Sequence, residues 1–461
     1  MSDAESRKSE SRKIGPLAAG ALVASNMIGS GVFLLPTTLA AIGSISLIGW
    51  LLVTAGIIAL GLVFAALARL RPNAAGLVGY VREGTGSFLG FGSAFLYWFS
   101  CWAGLVGIAV AAATYLGACF PVLNAHQGWT TVAILAVMTL INLVGAKVVS
   151  RLSGLTIILG LAPVIIVGIA GWFYFKPEVF LASWNVLGRP GVAAVSPSPL
   201  MSALTQMGVS TTSAVAAVAA SLAAIAWAFL GVESAAVVAK AIRDPEKNVA
   251  PATIGGVLFA SVVYICACTA VTGVLSAGEL AKSTAPFADV VGRMWGPAIG
   301  VLIAACASAK AIGAVGGWIL VTAETAETAA ETGLFPRFFL RKDLNTPPRL
   351  NLAITFVLMM GVILVTLSPS VAKQFNTILL IAVLLSVIVY ALACISLLRT
   401  PGARPGERVL AVIGLVFSGL IVLTCDYPTL KICGVAMVVA VVFYLVQRLM
   451  VSVAPKPVPQ P

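Results

Sequence analysis

The chain has 461 residues, of which 60% are hydrophobic and only 10% are charged, and its formal net charge is +12. A chain this apolar lacks the polar surface that a soluble globular protein needs, and the composition therefore excludes that class. A hydrocarbon core of about 30 Å requires about 20 apolar residues in each spanning helix. Segments of this kind are found at 15–42, 44–68, 88–119, 129–146, 153–175, 213–239, 252–278, 296–323, 350–368, 374–398, 409–425 and 432–447. The sequence thus predicts an all-α integral membrane protein with 12 transmembrane helices.

The distribution of basic residues predicts the orientation of these helices. With the N-terminus in the cytoplasm and alternating spans, 21 of the 28 Lys and Arg residues lie in inner loops and tails. Six lie in outer loops, and Lys310 is left inside a span. This bias is the one that cytoplasmic loops carry in membrane proteins, and it predicts that both termini are cytoplasmic. Because the basic residues are spread over many loops, no nucleic-acid partner is expected.

The first span contains the stretch NMIGSGVFLLP at 26–36, in which two glycines flank Ser30. Glycine inside a helix costs about 0.8–1 kcal/mol relative to alanine, and an unpaired backbone group in lipid costs several kcal/mol more. We interpret the stretch as a break in the helix, which frees N–H groups at a positive helix end that suits a carboxylate. The alternative is that Gly29 and Gly31 only allow neighbouring helices to approach closely.

A second interruption, IAWAFLGVES at 225–234, falls in the sixth span, where Gly231 is followed by Glu233. Its freed carbonyl oxygens suit an ammonium group. Breaks at the start of spans 1 and 6 are the spacing that two inverted five-helix repeats produce, with discontinuous helices 1 and 6. Interrupted segments at matching positions of two halves point to the binding site of a transporter.

Glu233 and Lys310 are the two lone charges predicted near the membrane centre. A charged side chain there costs about 2.5–3.5 kcal/mol on insertion scales, so each requires a partner or a function. We hypothesise that the two form an ion pair. For Glu233 we expect a proton-sensitive gate or a counter-charge for a cationic substrate, and the alternative is a structural acid satisfied by hydrogen bonds. The alternative for Lys310 is a polar scaffold cavity away from the substrate.

Enzymatic activity is not expected from this sequence. The eight cysteines lie mostly in apolar segments without metal-ligand spacing, and His126, the only histidine, falls in a predicted outer loop. No metal site, cofactor or Ser/His/Asp arrangement is predicted. A channel is also disfavoured, since the chain contains no repeat that resembles a selectivity filter.

Several motifs together resemble the amino acid–polyamine–organocation (APC) superfamily, and within it the bacterial arginine/agmatine antiporters. NMIGSGVFLLP in span 1, YWFSCWAG in span 3 and WAFLGVESA in span 6 carry this resemblance, followed by RDPEKNVAPATIGG and GGW…GLFP. It extends from about 14 to 449. The resemblance implies a LeuT-like 5+5 fold, commonly a homodimer, that exchanges an external basic amino acid for an internal amine.

The resemblance also implies how the main chain would bind the substrate. Ser30 and Gly31 would bind the substrate carboxylate. Carbonyl oxygens of Met27, Trp227 and Leu230 would bind the α-ammonium group.

Side-chain roles follow from the same resemblance. Asn26 would support the unwound turn, Trp318 would stack on the substrate side chain, and Trp227 would close over it. Cys101 and the carbonyl of Ser100 would line the side-chain pocket. The implied inner gate consists of Tyr97, Glu233 and Tyr390.

Three positions depart from the pattern of the arginine/agmatine branch. Leu105 replaces an asparagine that contacts the far end of the cationic substrate, and Ala382 replaces a pocket serine. Loss of these hydrogen-bonding groups weakens the case for arginine, since a guanidinium would be held less well. The third departure is Lys310, where relatives carry a small residue.

The expected organisation is a tail, two repeats, a loop between them, two further spans and a second tail. The first tail is 1–13, the first repeat 14–176 and the loop 177–212. The second repeat is 213–398, the two further spans lie in 399–449, and the second tail is 450–461. We expect the protein in the bacterial inner membrane, in contact with the lipid bilayer, with amino acids and amines as its small-molecule partners. The alternative function is proton-coupled amino acid uptake, although segment 153–175 lacks the lysine that proton-coupled relatives often carry there.

Overall fold

A computed structural model describes residues 15–29, 31–74, 76–189, 196–237, 242–340, 347–366 and 371–453. These residues form α-helices joined by turns and short 3-10 segments. The helices are α1 Pro16–Met27, α2 Gly31–Leu39, α3 Ser46–Leu70, α4 Gly76–Thr85, α5 Ser87–Cys119, α6 Gln127–Val144, α7 Ala146–Ala170, α8 Pro177–Ala182, α9 Pro199–Gln206, α10 Ala214–Trp227, α11 Ser234–Val237, α12 Pro245–Val274, α13 Ala277–Leu280, α14 Pro286–Trp295, α15 Pro297–Glu331, α16 Arg349–Thr366, α17 Val371–Leu398, α18 Pro405–Thr424 and α19 Tyr427–Val453.

Ten helices in the described residues are long and apolar enough to cross a membrane, or eleven if the bent pair α1 and α2 forms one span. This confirms a helical protein with many apolar spans. Twelve spans and the inverted repeat stay predictions. Helix α10, at 14 residues, is too short by itself to cross a hydrocarbon core of about 30 Å. The sequence predicts one span at 213–239 because the apolar stretch continues across the break that follows α10.

Several helices extend beyond their predicted apolar segments. The segment predicted at 296–323 is part of α15, which continues to Glu331. Proline occupies the first turn of α1, α12, α15 and α18, where its missing N–H group leaves no helical hydrogen bond unmade. Hydropathy identifies only the part of a helix that faces lipid or core, whereas helical hydrogen bonding continues into the polar turns at its ends.

Both predicted interruptions are present. The axes of α1 and α2 differ by 49° across residues 28–30. Helix α10 ends at Trp227, and residues 228–233 continue as turns, with the N–H of Leu230 donating to the carbonyl of Trp227 at 3.2 Å. Gly231 has a φ of +103°, a conformation that residues with a Cβ rarely adopt. The glycine that suggested a break in the sequence therefore supplies the backbone conformation that the break requires.

Helix α5 lies at the centre of the bundle. In its most apolar stretch 89% of the residues are buried, compared with 28% in α18 and 22% in α19. Helices α15 and α17 contact α5 along much of its length. The two breaks thus lie next to the buried faces of α5, α15 and α17.

The predicted outer loop is partly helical. Helices α8 and α9 lie within 177–212, and residues 190–195 fall outside the described part of the chain. The N–H groups of Ser44 and Ile45 donate to the carbonyls of Ser183 and Trp184, both at 2.8 Å. These main-chain bonds attach the segment after α8 to the turn between α2 and α3.

Candidate functional site

A central cavity of about 70 Å³ lies where the two breaks meet α5, α15 and α17. Main-chain and side-chain atoms from both breaks contribute to its wall, and four tyrosine or tryptophan side chains enclose it. The central cavity is lined by Asn26, Met27, Gly29, Gly31, Tyr97, Ser100, Cys101, Gly104, Leu105, Ile108, Trp227, Ala228, Leu230, Gly231, Glu233, Ala314, Trp318, Ser386 and Tyr390.

A hydrogen bond joins the two breaks to each other. The Nδ2 atom of Asn26, in the last turn of α1, donates to the Oγ atom of Ser234 at 2.8 Å. The hydroxyl of Ser234 in turn donates to the carbonyl of Gly231 at 2.5 Å. The side chain of Asn26 is thus connected, through one serine, to the main chain of the second break.

Trp227 fills the space between the two halves of the site. A Cβ atom at Gly31 would collide with the indole Nε1 atom of Trp227, and one at Gly104 would lie 3.3 Å from the far edge of the same ring. The ring also contacts Phe375 edge-on, with centroids 6.4 Å apart. Glycine at position 31 therefore allows the first break to approach the tryptophan of the second.

Glu233 lines the central cavity and is 3% exposed. The hydroxyl of Tyr97 donates to one carboxylate oxygen at 2.8 Å, and that of Tyr390 donates to the other at 2.7 Å. A carboxylate has about four lone-pair directions, so two tyrosine bonds leave acceptor capacity for a further donor. Hydrogen bonds from both tyrosines fix the orientation of the acid within the cavity.

A second cavity of about 740 Å³, which we call the vestibule, lies beside the first. It is bordered by α4, α5 and α15 and is lined in part by Arg82, Glu83, Glu324 and Thr328. Tyr97 lines both cavities. The phenol that donates to Glu233 therefore forms part of the wall between the central cavity and the larger space.

Ser386 is a cavity residue that the sequence analysis did not identify. Its Oγ atom lies 2.5 Å from the Oγ atom of Ser100, which also donates to the carbonyl of Ala382 at 3.0 Å. The available signal was the spacing on α17, because residues four apart share a helix face and Ser386 precedes Tyr390 by four. Ala382 is buried near Gly104, 3.6 Å from the position of a Cβ added there.

Most of the predicted site residues meet around one cavity, and three require comment. Ser30 lies outside the described residues. Ala382 borders the serine pair rather than the cavity itself. Lys310 is absent from the cavity wall, since its alkyl chain lies against Gly160 of α7, where a Cβ atom would collide with the lysine.

The ion pair between Lys310 and Glu233 is not present among the described residues, in which the ion pairs within 4.0 Å involve other side chains. The physical reason is position along α15, because Lys310 precedes Ala314 by four residues and Trp318 by eight, which is about 6 Å and about 12 Å along the helix axis. Trp318 and Ala314 of this helix face the central cavity, whereas Lys310 faces α7. The lysine is nevertheless buried, with an exposed fraction of 7%.

A cavity between two interrupted helices, lined by a carboxylate and by main-chain atoms of both breaks within a bundle of apolar spans, is an arrangement of membrane transporters. A sequence model of the amino acid permease family matches residues 14–457. The chain therefore belongs to the amino acid permease family, which confirms the resemblance to the APC superfamily.

Curated relatives agree with this assignment. The chain is 33% identical to the cadaverine/lysine antiporter of Escherichia coli strain K12 over 419 residues, which are 89% of each chain. It is 32% identical to the putrescine transporter PotE of the same strain over 395 residues, 85% of this chain and 84% of the relative. The putrescine transporter PotE of Haemophilus influenzae is also 32% identical, over 84% of both chains.

Proposed function

We propose that this protein is a secondary transporter that exchanges an external basic amino acid for an internal amine, its decarboxylation product. The observation that carries the proposal is the buried carboxylate of Glu233, which lines the central cavity with two tyrosine hydroxyls as its hydrogen-bonding partners. Neutral hydroxyls orient this negative charge without neutralising it. A substrate cation would supply the missing positive charge.

The first break would bind the other end of an amino acid substrate. Helix α2 begins at Gly31, in the cavity wall, and the N-terminus of a helix favours a carboxylate. Ser30 and Gly31 would bind that carboxylate, and the carbonyls of Met27, Trp227 and Leu230 would bind the α-ammonium group. An amine product lacks the carboxylate, so the same site would hold it through its ammonium groups alone.

The side-chain end of the cavity favours a primary ammonium over a guanidinium. Leu105 lines the cavity without a hydrogen-bonding side chain, and Ala382, beside the serine pair, likewise offers none. The named relatives are a cadaverine/lysine antiporter and putrescine transporters, whose amines end in primary ammonium groups. We therefore propose lysine or a similar basic amino acid with its diamine, in preference to arginine with agmatine.

Exchange would proceed by alternating access between the two sides of the membrane. Opening toward the vestibule requires Tyr97 to move, and this movement would break its hydrogen bond to Glu233. Binding of a cation beside the carboxylate would compete with the tyrosine bonds and couple occupancy to the gate. Trp318 would stack on the substrate side chain as a middle gate, and Trp227 would close over the substrate from the outer side.

Counterflow in proteoliposomes tests this function. Vesicles that contain purified protein are loaded with unlabelled lysine or cadaverine, and uptake of labelled lysine is measured without an ion gradient. An exchanger accumulates label only in loaded vesicles. Uptake into empty vesicles under a proton gradient alone would instead establish the alternative, proton-coupled amino acid uptake.

The setting of the protein is part of the same proposal. We place it in the bacterial inner membrane as a multi-pass protein with both termini in the cytoplasm, and as a homodimer. The apolar helices and the bias of basic residues support the location and orientation. Labelling of single cysteines introduced into the tails, from either side of sealed vesicles, would test the orientation.

A further inference from the structure

Two serine hydroxyls in the central cavity have no role in the function proposed above. Ser100 follows Tyr97 by three residues on α5, and Ser386 precedes Tyr390 by four residues on α17. Both serines line the cavity and are at most 4% exposed. At about 1.5 Å of rise per residue, the pair lies about one helical turn from the layer in which the two tyrosines contact Glu233.

The hydrogens of this pair can be assigned by counting. A serine hydroxyl has one hydrogen to donate and two lone pairs. Either hydroxyl can be the donor in the 2.5 Å contact between them; in the arrangement in which Ser100 directs its hydrogen to the carbonyl of Ala382 at 3.0 Å, this contact uses the hydrogen of Ser386. Ser386 has then donated its only hydrogen and retains both lone pairs. It faces the cavity as a hydrogen-bond acceptor.

We propose that Ser386, positioned by Ser100, accepts a hydrogen bond from the second cationic group of the substrate, the side-chain ammonium of a basic amino acid or the far ammonium of a diamine. This inference rests on the proposed function and adds a specificity-determining residue to it. The negative charge of Glu233, about one turn away, supplies the attraction. The hydroxyl of Ser386 selects, through one short-range hydrogen bond, a substrate group that can donate.

The arrangement also explains which far ends the cavity would reject. A methyl end would leave the buried lone pairs of Ser386 without a donor, and a carboxylate end would place acceptor against acceptor beside Glu233. A guanidinium is planar and is held best by several acceptors arranged around its fork, whereas an ammonium is a compact donor. A single hydroxyl acceptor therefore suits a primary ammonium.

The test compares three compounds with the same amine and different far ends. Cadaverine ends in an ammonium, pentylamine in a methyl group and 5-aminovalerate in a carboxylate. Their inhibition constants against uptake of labelled substrate are measured in proteoliposomes for the wild type and for Ser386→Ala. We expect the constant for cadaverine to rise by about ten-fold to a hundred-fold, as for loss of a hydrogen bond to a charged group, with less than about three-fold change for pentylamine.

Ser100→Ala separates the contact residue from the positioning residue. It should weaken cadaverine less than Ser386→Ala does, and the double variant should resemble Ser386→Ala, because the two hydroxyls act as one unit. Ser93→Ala is the matched control. Ser93 is a buried serine of α5 that donates to the carbonyl of Gly90 and does not line the cavity. It should leave all three constants unchanged.

Equal losses for cadaverine and pentylamine in Ser386→Ala would overturn the proposal, since they would indicate a general structural defect. Unchanged binding of cadaverine would overturn it too, as would a loss confined to 5-aminovalerate. If Ser386→Ala cannot be purified in a folded form, the test uses Ser100→Ala. The inhibition constant should then rise more for cadaverine than for pentylamine. Failure of the wild type to bind both lysine and cadaverine would refute the proposed function, whereas tight binding that ignores Ser386 would refute this inference alone.

Discussion

Glu233 and Lys310 are both buried charges near the centre of the bundle, yet their surroundings differ. Glu233 lies in a break between two helices, lines the central cavity and accepts hydrogen bonds from two tyrosines. Lys310 lies in the middle of the continuous helix α15, and its alkyl chain contacts Gly160 of α7. One charge faces the central cavity, and the other lies at a contact between two helices.

The comparison teaches that burial alone does not identify a charge that lines the cavity. The exposed fractions of the two residues, 3% and 7%, are nearly equal. Non-helical backbone at membrane depth is tolerated where it is covered by protein or lines a cavity, and the break that carries Glu233 lines one. A lysine on an unbroken helix can instead bury its methylene groups against a small neighbour.

The largest effect should follow from Glu233→Gln. The amide keeps the size of the side chain and can still accept from one tyrosine, but the negative charge is lost. We expect the apparent affinity for lysine and cadaverine to fall by about ten-fold to a hundred-fold, the range for hydrogen bonds to charged groups. Inhibition constants in proteoliposomes measure this change. Affinities equal to those of the wild type would remove Glu233 from the substrate site.

Gly160→Ala should disturb the other charge. A Cβ atom at this position would collide with the side-chain carbons of Lys310. Overpacking of this kind costs about 1–3 kcal/mol, and a gain of about 1 kcal/mol in helix propensity leaves a net cost of up to about 2 kcal/mol, so the midpoint of thermal unfolding in detergent should fall. Lys310→Ala in the same protein should restore the midpoint.

Gly154→Ala is the matched control for this measurement. Gly154 lies on the same helix, and a Cβ atom there would have no neighbour within 4 Å. The midpoint of Gly154→Ala should be equal to or higher than that of the wild type. If both alanine variants lower the midpoint equally, the contact between Gly160 and Lys310 does not matter.

The ion pair between Arg293 and Glu279 is exposed to water, in contrast to the two buried charges. Arg293 donates to Glu279, and mainly this hydrogen bond lowers the pKa of Glu279 from 4.5 to about 2. Its contribution to stability is therefore present above about pH 4.5 and is lost as the pH falls toward 2. Because both side chains are more than two-fifths exposed, we expect less than about 1 kcal/mol. Glu279→Gln should make the midpoint of thermal unfolding depend less on pH over this range.

The smallest effect should be the coupling between the two buried charges. Since Lys310 and Glu233 do not form an ion pair in the described structure, the effects of Lys310→Ala and Glu233→Gln on transport should add to within about 0.5 kcal/mol, about two-fold in rate. Rates of the two single variants and the double variant complete the cycle. A double variant no worse than one single variant would restore the ion-pair hypothesis.

Both breaks could be predicted from the sequence because glycine in an apolar segment has a local cost that a straight helix does not repay. The cavity residues near Gly31 and Gly231 follow from that prediction, since they are neighbours in the chain. Ser386 could not be predicted in the same way. Its contact with Ser100 spans 286 positions and depends on the register of α17 against α5.

By itself, the amino-acid sequence determined that this chain forms apolar helices and where two of them are interrupted, because hydropathy and glycine act within a few neighbouring residues. Only the tertiary structure decided that Glu233 lines the cavity while Lys310 lies against α7. A helix that is apolar on all sides carries little information about which neighbour each of its side chains will meet. Close packing against neighbouring helices decides this, and glycines such as Gly160 decide where a long side chain can lie.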